Sequence, residues 1–315
     1  MSLLPVEAAH RLAEQAEACR WLVEGLWSEE AVGIVGGEPK NCKSFLALDM
    51  AVSVAAGTPC LRRFPVAKPG RVLLYAAEDA LHVVRRRLEG ICAASGVALP
   101  NVDIQVITAP SLRIDLEADR SSLDETVARL RPRLLVLDPF VRIHRIDENA
   151  SGEVAPLLAY LRELQRRHHV AIALVHHAKK GGGHIRAGQA LRGSSEFHAW
   201  VDSMLYLRRQ GDDLSLTVEH RAAPSLAPIT LELLQRGDAL ALAVVDRHAT
   251  TPEPEPASVD ERITNALTTA GRPLSISDLR AACRVRNATL YDRLTTLTAL
   301  GRLVRVPEGY RLASA

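Results

Sequence analysis

Between Ala31 and Val245, short apolar runs alternate with longer stretches whose apolar positions return every three or four residues. Ala31–Val35, Arg71–Ala76, Asp103–Ile107, Leu134–Leu137 and Val170–Val175 are rich in β-branched and aliphatic residues, the pattern of strands buried on both faces. Helical spacing predicts helices between them, near Ser44–Ala56, Ala80–Ala94, Leu123–Leu130 and Glu153–His168. This alternation defines an α/β fold, a mainly parallel sheet with helices on both faces. From Met204 the helical pattern stops, and Met204–Arg208, Leu214–Glu219, Ile229–Leu234 and Leu240–Val245 predict antiparallel strands or hairpins at one end of the sheet. Upstream, the spacing from Val6 to Trp27 predicts a helix, so residues 1–30 read as an N-terminal helical cap on a core of residues 31–248.

The pattern breaks at His248–Ser258. Pro252, Pro254 and Pro256 remove backbone donors and favour an extended chain, so residues 249–258 read as a semi-rigid linker. At ~3.1 Å per residue it spans about 30 Å. Residues 259–315 then carry their own pattern. Ile263, Leu267 and Ala270 mark one helix, and Ser275 with Asp278 is placed like a capping box opening Ile276–Cys283. Arg284-Val285-Arg286 turns into Asn287–Ala299, and Leu303–Leu312 reads as a hairpin around Pro307-Glu308-Gly309. Helix, helix–turn–helix, hairpin resembles a winged helix.

Composition narrows the picture. With 315 residues, 47% hydrophobic and 24% charged, the chain has the make-up of a globular protein rather than of a disordered or low-complexity one. Its five cysteines are scattered and never form C-x-x-C, which argues against a zinc site or disulfide framework and fits a reducing cytoplasmic compartment. No signal-peptide pattern and no run of 18 apolar residues occurs, so neither secretion nor membrane spanning is expected. A net charge of +2 decides nothing about nucleic acid. Locally it does, because residues 259–315 carry nine Arg against five acidic residues. If the second helix of the pair enters a major groove, Arg284, Arg286, Asn287, Thr289, Tyr291 and Arg293 are placed to meet DNA, with Arg305 and Arg311 on phosphates. Protein contact through the same face is the competing reading. Only five of the 39 basic residues are Lys, which makes each one conspicuous.

One of them lies in the strongest chemical signal. The first core strand leads into Gly36-Gly37-Glu38-Pro39-Lys40-Asn41-Cys42-Lys43-Ser44 and then the apolar helix starting at Phe45. Against G-x-x-x-x-G-K-[ST], Gly37, Lys43 and Ser44 fall in register and Cys42 replaces the last glycine. Such a loop surrounds phosphates with backbone N–H groups, brings a Lys charge to the β/γ oxygens and offers a hydroxyl to Mg²⁺. Cys42 is small and, just ahead of the helix, need not adopt a positive φ. Two acids follow at strand ends. Glu78, after Val72–Tyr75, suits a general base for an attacking water, and Asp138, after Leu134–Leu137, suits a Walker B acid on Mg²⁺. A third strand ends in His176-His177-Ala178-Lys179-Lys180. Singly, each is an ordinary strand end or helix cap; after successive parallel strands they converge on one edge.

These residues resemble the RecA-like ATPases and, within them, the RepA-like hexameric replicative helicases of plasmids and related mobile-element ATPases. The resemblance runs from about Trp21 to Val245 and rests on GEPKNCKS, LLYAAED, HVVRRRL, LVLDPFVRIHRIDENASGEV, ALVHHAKKGGG and LRGSS. It implies a RecA-like P-loop NTPase core that uses ATP and Mg²⁺, with Lys43 and Ser44 on phosphate and metal, Glu78 and Asp138 as catalytic and Walker B acids, and Arg87 beside the nucleotide. It further implies His177 (or His176) as γ-phosphate sensor and Lys179, Lys180 and the following glycines as a loop contacting single-stranded DNA. A trans-acting arginine finger is implied at Arg221, with Arg208 as the competitor. The expected function is an ATP-driven DNA helicase or translocase, a homo-oligomer forming a hexameric ring, with the winged helix on duplex DNA. The alternatives are a DNA-bound replication or transcription regulator using ATP as an assembly switch, and a signalling ATPase or kinase on the same core.

Overall fold

The computed structural model describes residues 6–11, 20–177, 196–211, 213–236, 239–245, 259–283, 285 and 287–313. The chain divides into two compact units, Met1–Asp246 and Arg247–Ala315. The linker stretch 249–258 lies outside the described residues.

The first unit opens differently from the helical expectation. Ala9–Arg11 is one short 3-10 turn, and β1 (Trp21–Val23) and β2 (Trp27–Ser28) form an antiparallel hairpin. The reason is local. Gly25 adopts φ +72° and turns the chain, while Leu22, Val23, Leu26 and Trp27 are all buried. Trp27 Nε1 donates to the Ala31 carbonyl at 3.3 Å.

The core follows in alternating order: β3 (Val32–Gly37), α1 (Lys43–Ala56), β4 (Val72–Ala76), α2 (Leu81–Ala94), β5 (Ile104–Val106), α3 (Glu117–Leu130), β6 (Leu134–Asp138), α4 (Ser151–His168) and β7 (Ala171–His177). After the short α5 (Glu196–Trp200) come β8 (Ser203–Gln210), β9 (Asp213–His220), β10 (Ile229–Arg236) and β11 (Ala239–Val244). One nine-stranded sheet results, in the order β11-β10-β9-β8-β3-β7-β6-β4-β5. Pairing is parallel from β8 to β5 and antiparallel from β8 to β11.

Buried strands explain the continuous apolar runs, since alternate residues supply two separate cores. Val35, Leu74, Val136 and Val175 pack with α1 and α2. Ile34, Leu73, Leu135 and Leu174 pack with residues of α3 and α4. Helix α1 is buried nearly all round; its Asp49 accepts from Leu61 N at 2.8 Å and pairs with Arg62, tying the loop after the helix back onto it. Gly90 lets α2 approach β11 closely, because a Cβ there would lie 3.0 Å from Leu240 N.

The second unit comprises α6 (Val259–Ala270), α7 (Ile276–Cys283), α8 (Asn287–Ala299) and the antiparallel hairpin β12 (Leu303–Val306) and β13 (Gly309–Leu312). Ile263, Leu267, Leu279, Leu290, Leu294, Leu297 and Leu303 form its own core. Ser275 Oγ receives Asp278 N at 3.2 Å, and the Asp278 carboxylate receives Ser275 N at 3.4 Å, the reciprocal capping of α7. Among the described residues no helix is long and apolar enough to cross a membrane.

Candidate active site

The loop leaves β3 at Gly37 and enters α1 at Lys43. Gly37 has φ +149°, and a Cβ there would sit 2.4 Å from the Leu207 carbonyl oxygen on β8, so this position requires glycine. Lys40 (φ +66°) and Cys42 (φ +59°) are left-handed as well. Left-handed residues at alternate positions are the backbone pattern of an anion-binding nest. Cys42 therefore departs from expectation: it takes the conformation for which glycine is suited, because the chain turns there to start the helix. Its carbonyl accepts from Leu46 N at 3.0 Å, its side chain makes no capping hydrogen bond, and Arg209 Nη2 lies 3.9 Å from its sulfur.

Lys43 is buried and donates from Nζ to the Glu38 carbonyl at 2.8 Å, folding back along the loop. Burial pulls its pKa down, opposed by the Asp138 and Glu78 carboxylates. Asp138 ends β6 opposite Ala76 of β4, and Ala77 N donates to its carbonyl at 2.7 Å. Burial raises the Asp138 carboxyl to about 6; the Ser44 hydroxyl bonded to it and nearby Lys43 act downward, Asp79 and Glu78 upward. A buried carboxyl bonded to a hydroxyl, with two more carboxylates nearby, is short of positive charge and has the oxygen donors a divalent cation takes. Among the described residues no group of three His, Cys, Asp or Glu side chains could hold a metal alone. A cation at Ser44 and Asp138 would complete its shell with phosphate oxygens and water, the preference of Mg²⁺.

Adjacent residues of a strand face opposite sides, which separates the two histidines ending β7. His176 is buried, stacked on Phe197 with ring centroids 4.5 Å apart and edge-on to Phe140 at 5.8 Å. His177 lines the cleft with Lys40, Asn41, Cys42, Lys43, Ser44, Phe45, Glu78, Arg87, Asp138, Pro139 and Val175, enclosing about 260 Å³. Glu38 and Pro39 shape the loop without lining it. Arg87 pairs with Asp79, and its guanidinium lies 5.2 Å from the Phe45 ring centroid. A second cavity of about 420 Å³ shares Phe45 and Arg87 and adds His82, Val83, Arg86 and Leu240. Sequence reasoning missed these four, and also Arg142, whose Nε donates to Glu78 Oε1 at 3.0 Å. The run of arginines on α2 signals only His82, Val83 and Arg86, which lie on that helix.

The two finger candidates lie at opposite edges of the sheet. Arg221 follows His220, which pairs with Ser203 at the start of β8, whereas Gly37 of the loop pairs with Leu207 near its end. Its guanidinium bonds the Ala199 carbonyl and lies 3.5 Å from Asp202, so it does not join the cleft of its own chain. Arg208 comes one residue after Leu207, on the loop's edge, with its guanidinium 5.7 Å from the Tyr206 ring centroid.

Lys179, Lys180, Arg284 and Arg286 lie outside the described residues. Asn287 opens α8, and Thr289 and Tyr291 are exposed on that helix. Arg305 and Arg311 are exposed on β12 and β13. Arg293 is committed elsewhere: both arms of its guanidinium bond the Asp260 carboxylate of α6, with Nε to Oδ1 at 2.8 Å.

Sheet order and the loop between β3 and α1 define the fold as a RecA-like P-loop core. The family model for the AAA domain matches residues 2–183, more than half of the chain, and the chain belongs to that family. Its fold is similar to a KaiC-like protein of the hyperthermophilic archaeon Pyrococcus horikoshii OT3, at 15% identity and a TM-score of 0.50 over 71% of this chain and 93% of that one. It is similar to the RadB recombinase at 17% identity and a TM-score of 0.50, covering 69% and 92% of the two chains. A DnaB-like replicative helicase aligns at 13% identity and a TM-score of 0.52, over 68% of this chain and 57% of that chain. At these identities the likeness is one of fold.

Proposed function

We propose that the chain is an ATP-hydrolysing, DNA-associated motor of the RepA-like replicative helicase type. The observation that carries this is the convergence of Lys43, Ser44, Glu78, Asp138 and His177 on one cleft at the carboxyl edge of the parallel strands. In this reading the loop N–H groups and Lys43 bind the phosphates, while Phe45, His82 and Arg86 receive the nucleoside in the adjoining cavity. Ser44 and Asp138 would hold Mg²⁺, which when bound neutralises charge on the phosphate oxygens. Glu78 orients the attacking water and accepts its proton at a carboxylate oxygen. His177 senses the γ-phosphate two residues before Lys179, assigned with Lys180 to single-stranded DNA.

RadB is a recombinase, and the DnaB-like replicative helicase interacts with primase; both are compatible with a DNA-associated assembly. Ring formation as a hexamer belongs to the same proposal. Arg208 is the stronger trans-finger candidate, since Arg221 is tied to Ala199 and Asp202 at the far edge. The element order of the second unit supports a winged helix, with Thr289, Tyr291, Arg305 and Arg311 toward duplex DNA.

Left-handed Cys42 in the loop favours one alternative, a DNA-bound regulator in which slow hydrolysis makes ATP an assembly switch. ATP turnover with no DNA, single-stranded DNA and duplex DNA, alongside mass measurement with and without nucleotide, separates the two. The motor predicts turnover stimulated by single strands, nucleotide-dependent rings, and strand displacement lost in Lys43→Ala and Glu78→Gln. Normal turnover without unwinding or translocation refutes the motor.

A further inference from the structure

Arg142 belongs to none of the expected site residues and does not line the cleft, yet it holds the carboxylate assigned to the attacking water. Glu78 stands on the loop after β4 with its side chain 45% exposed, an environment in which a glutamate samples several rotamers. Among the described residues Arg142 is the side chain bonded to it, through a single N–H to a single oxygen: Nε to Oε1 at 3.0 Å. Oε2 remains available to accept from water.

The support under Arg142 is rigid. The chain leaves β6 through Pro139 into a short 3-10 turn, Phe140–Arg142, in which Arg142 N donates to the Pro139 carbonyl at 3.1 Å and Ile143 N to the Phe140 carbonyl at 3.0 Å. Phe140 and Ile143 are fully buried. Acid and base thus hang from neighbouring strands whose ends are joined by the Ala77–Asp138 hydrogen bond. Stability does not explain the pair, because the two side chains are 61% and 45% exposed and ion pairs so open to water contribute little.

Resting on the ATPase reading, we infer that Arg142 is a positioning residue for Glu78, selecting the rotamer that keeps this carboxylate over the cleft. The test is steady-state ATP hydrolysis by the full chain with Mg²⁺ for wild type, Arg142→Ala, Arg142→Lys, Glu78→Gln and the double variant, with affinity for a fluorescent ADP analogue and thermal midpoint measured on each. In Arg142→Ala, kcat is expected to fall about tenfold, because a misaimed base loses near-attack geometry. KM, ADP affinity and melting temperature stay at wild-type values. Arg142→Lys recovers part of the loss, and the double variant is no slower than Glu78→Gln alone. Unchanged or raised kcat in Arg142→Ala, or a further loss in the Glu78→Gln background, overturns the inference. Lys43→Ala examines the underlying reading separately: turnover that survives it overturns the ATPase assignment of this cleft, whereas Lys43-dependent turnover indifferent to Arg142 overturns the positioning role alone.

Discussion

Replacing Cys42 by glycine probes the phosphate loop at its least ordinary position. Cys42 sits at φ +59° and ψ +22°, where a Cβ is crowded by the following carbonyl. Relief of that crowding contributes about 1–2 kcal/mol. Glycine gives back about 0.4–1 kcal/mol through the greater freedom of the unfolded chain. Little else is lost: the thiol is half-buried, caps nothing, and meets Arg209 only at 3.9 Å. Cys42→Gly should therefore stabilise the first unit by about 0.5–1 kcal/mol, or roughly 1–4 °C in melting temperature for a core of this size. Nucleotide affinity should be retained or raised, since the loop N–H groups keep their directions. Thermal melting followed by circular dichroism and titration with a fluorescent nucleotide check both outcomes. Cys42→Ala is the control, because it removes the sulfur but keeps the Cβ and should gain no stability. A lower melting temperature or weaker nucleotide binding in Cys42→Gly refutes the reasoning, showing that the thiol itself supports the loop.

Other expectations follow from the same geometry. Because burial raises Asp138 to about 6 in the folded chain against 3.8 for the ordinary side chain, the folded state holds the proton more tightly. The resulting penalty grows as pH rises between these values and reaches about 3 kcal/mol at neutrality. Without Mg²⁺, Asp138→Asn should thus melt higher than wild type at pH 7.5, with the difference vanishing toward pH 4; a less stable variant at pH 7.5 contradicts this. Gly37→Ala, forced against the Leu207 carbonyl, should destabilise the core by several kcal/mol in urea unfolding. In salt titrations on duplex DNA, Arg305→Ala and Arg311→Ala should each lower the slope by about one, while Arg293→Ala changes it less and instead destabilises the second unit. Equal slope changes for all three would show that Asp260 releases Arg293 to DNA.

The parallel strands are legible in the sequence because burial on both faces leaves runs such as Leu134–Leu137 without polar alternation. Their order of acids follows directly, since Glu78 and Asp138 must emerge at the same edge of a parallel sheet. Trp21–Ser28 is not legible in this way: Leu22, Val23, Leu26 and Trp27 have spacing that fits a helical face or a hairpin, and only Gly25 distinguishes them. Helix α3 begins at Glu117 rather than near Leu123 because its first turns are polar, with Glu117 and Asp119 complementing the helix dipole instead of packing. His176 and His177 are equivalent as letters, and the strand's pleat separates them. Arg142 has no sequence signal, because its role depends on a turn that brings it beside a loop 64 residues away.

The close approach of Gly90 to Leu240 has a bearing on how the protein is made. Lys43, Glu78 and Asp138 all emerge from the ribosome before the midpoint of the chain, and a fragment containing them carries the loop and both acids of the proposed phosphate site, lacking only His177 of the groups assigned to it. The cavity assigned to the nucleoside is different, since Leu240 of β11 forms part of its wall against Arg86 and Arg87 of α2. A nascent chain halted before Ala239 has a phosphate loop but an unfinished base site. Under the proposed assignment, full nucleotide affinity is expected only once the last core hairpin has folded over α2, so an incomplete chain should not engage nucleotide as the mature protein does.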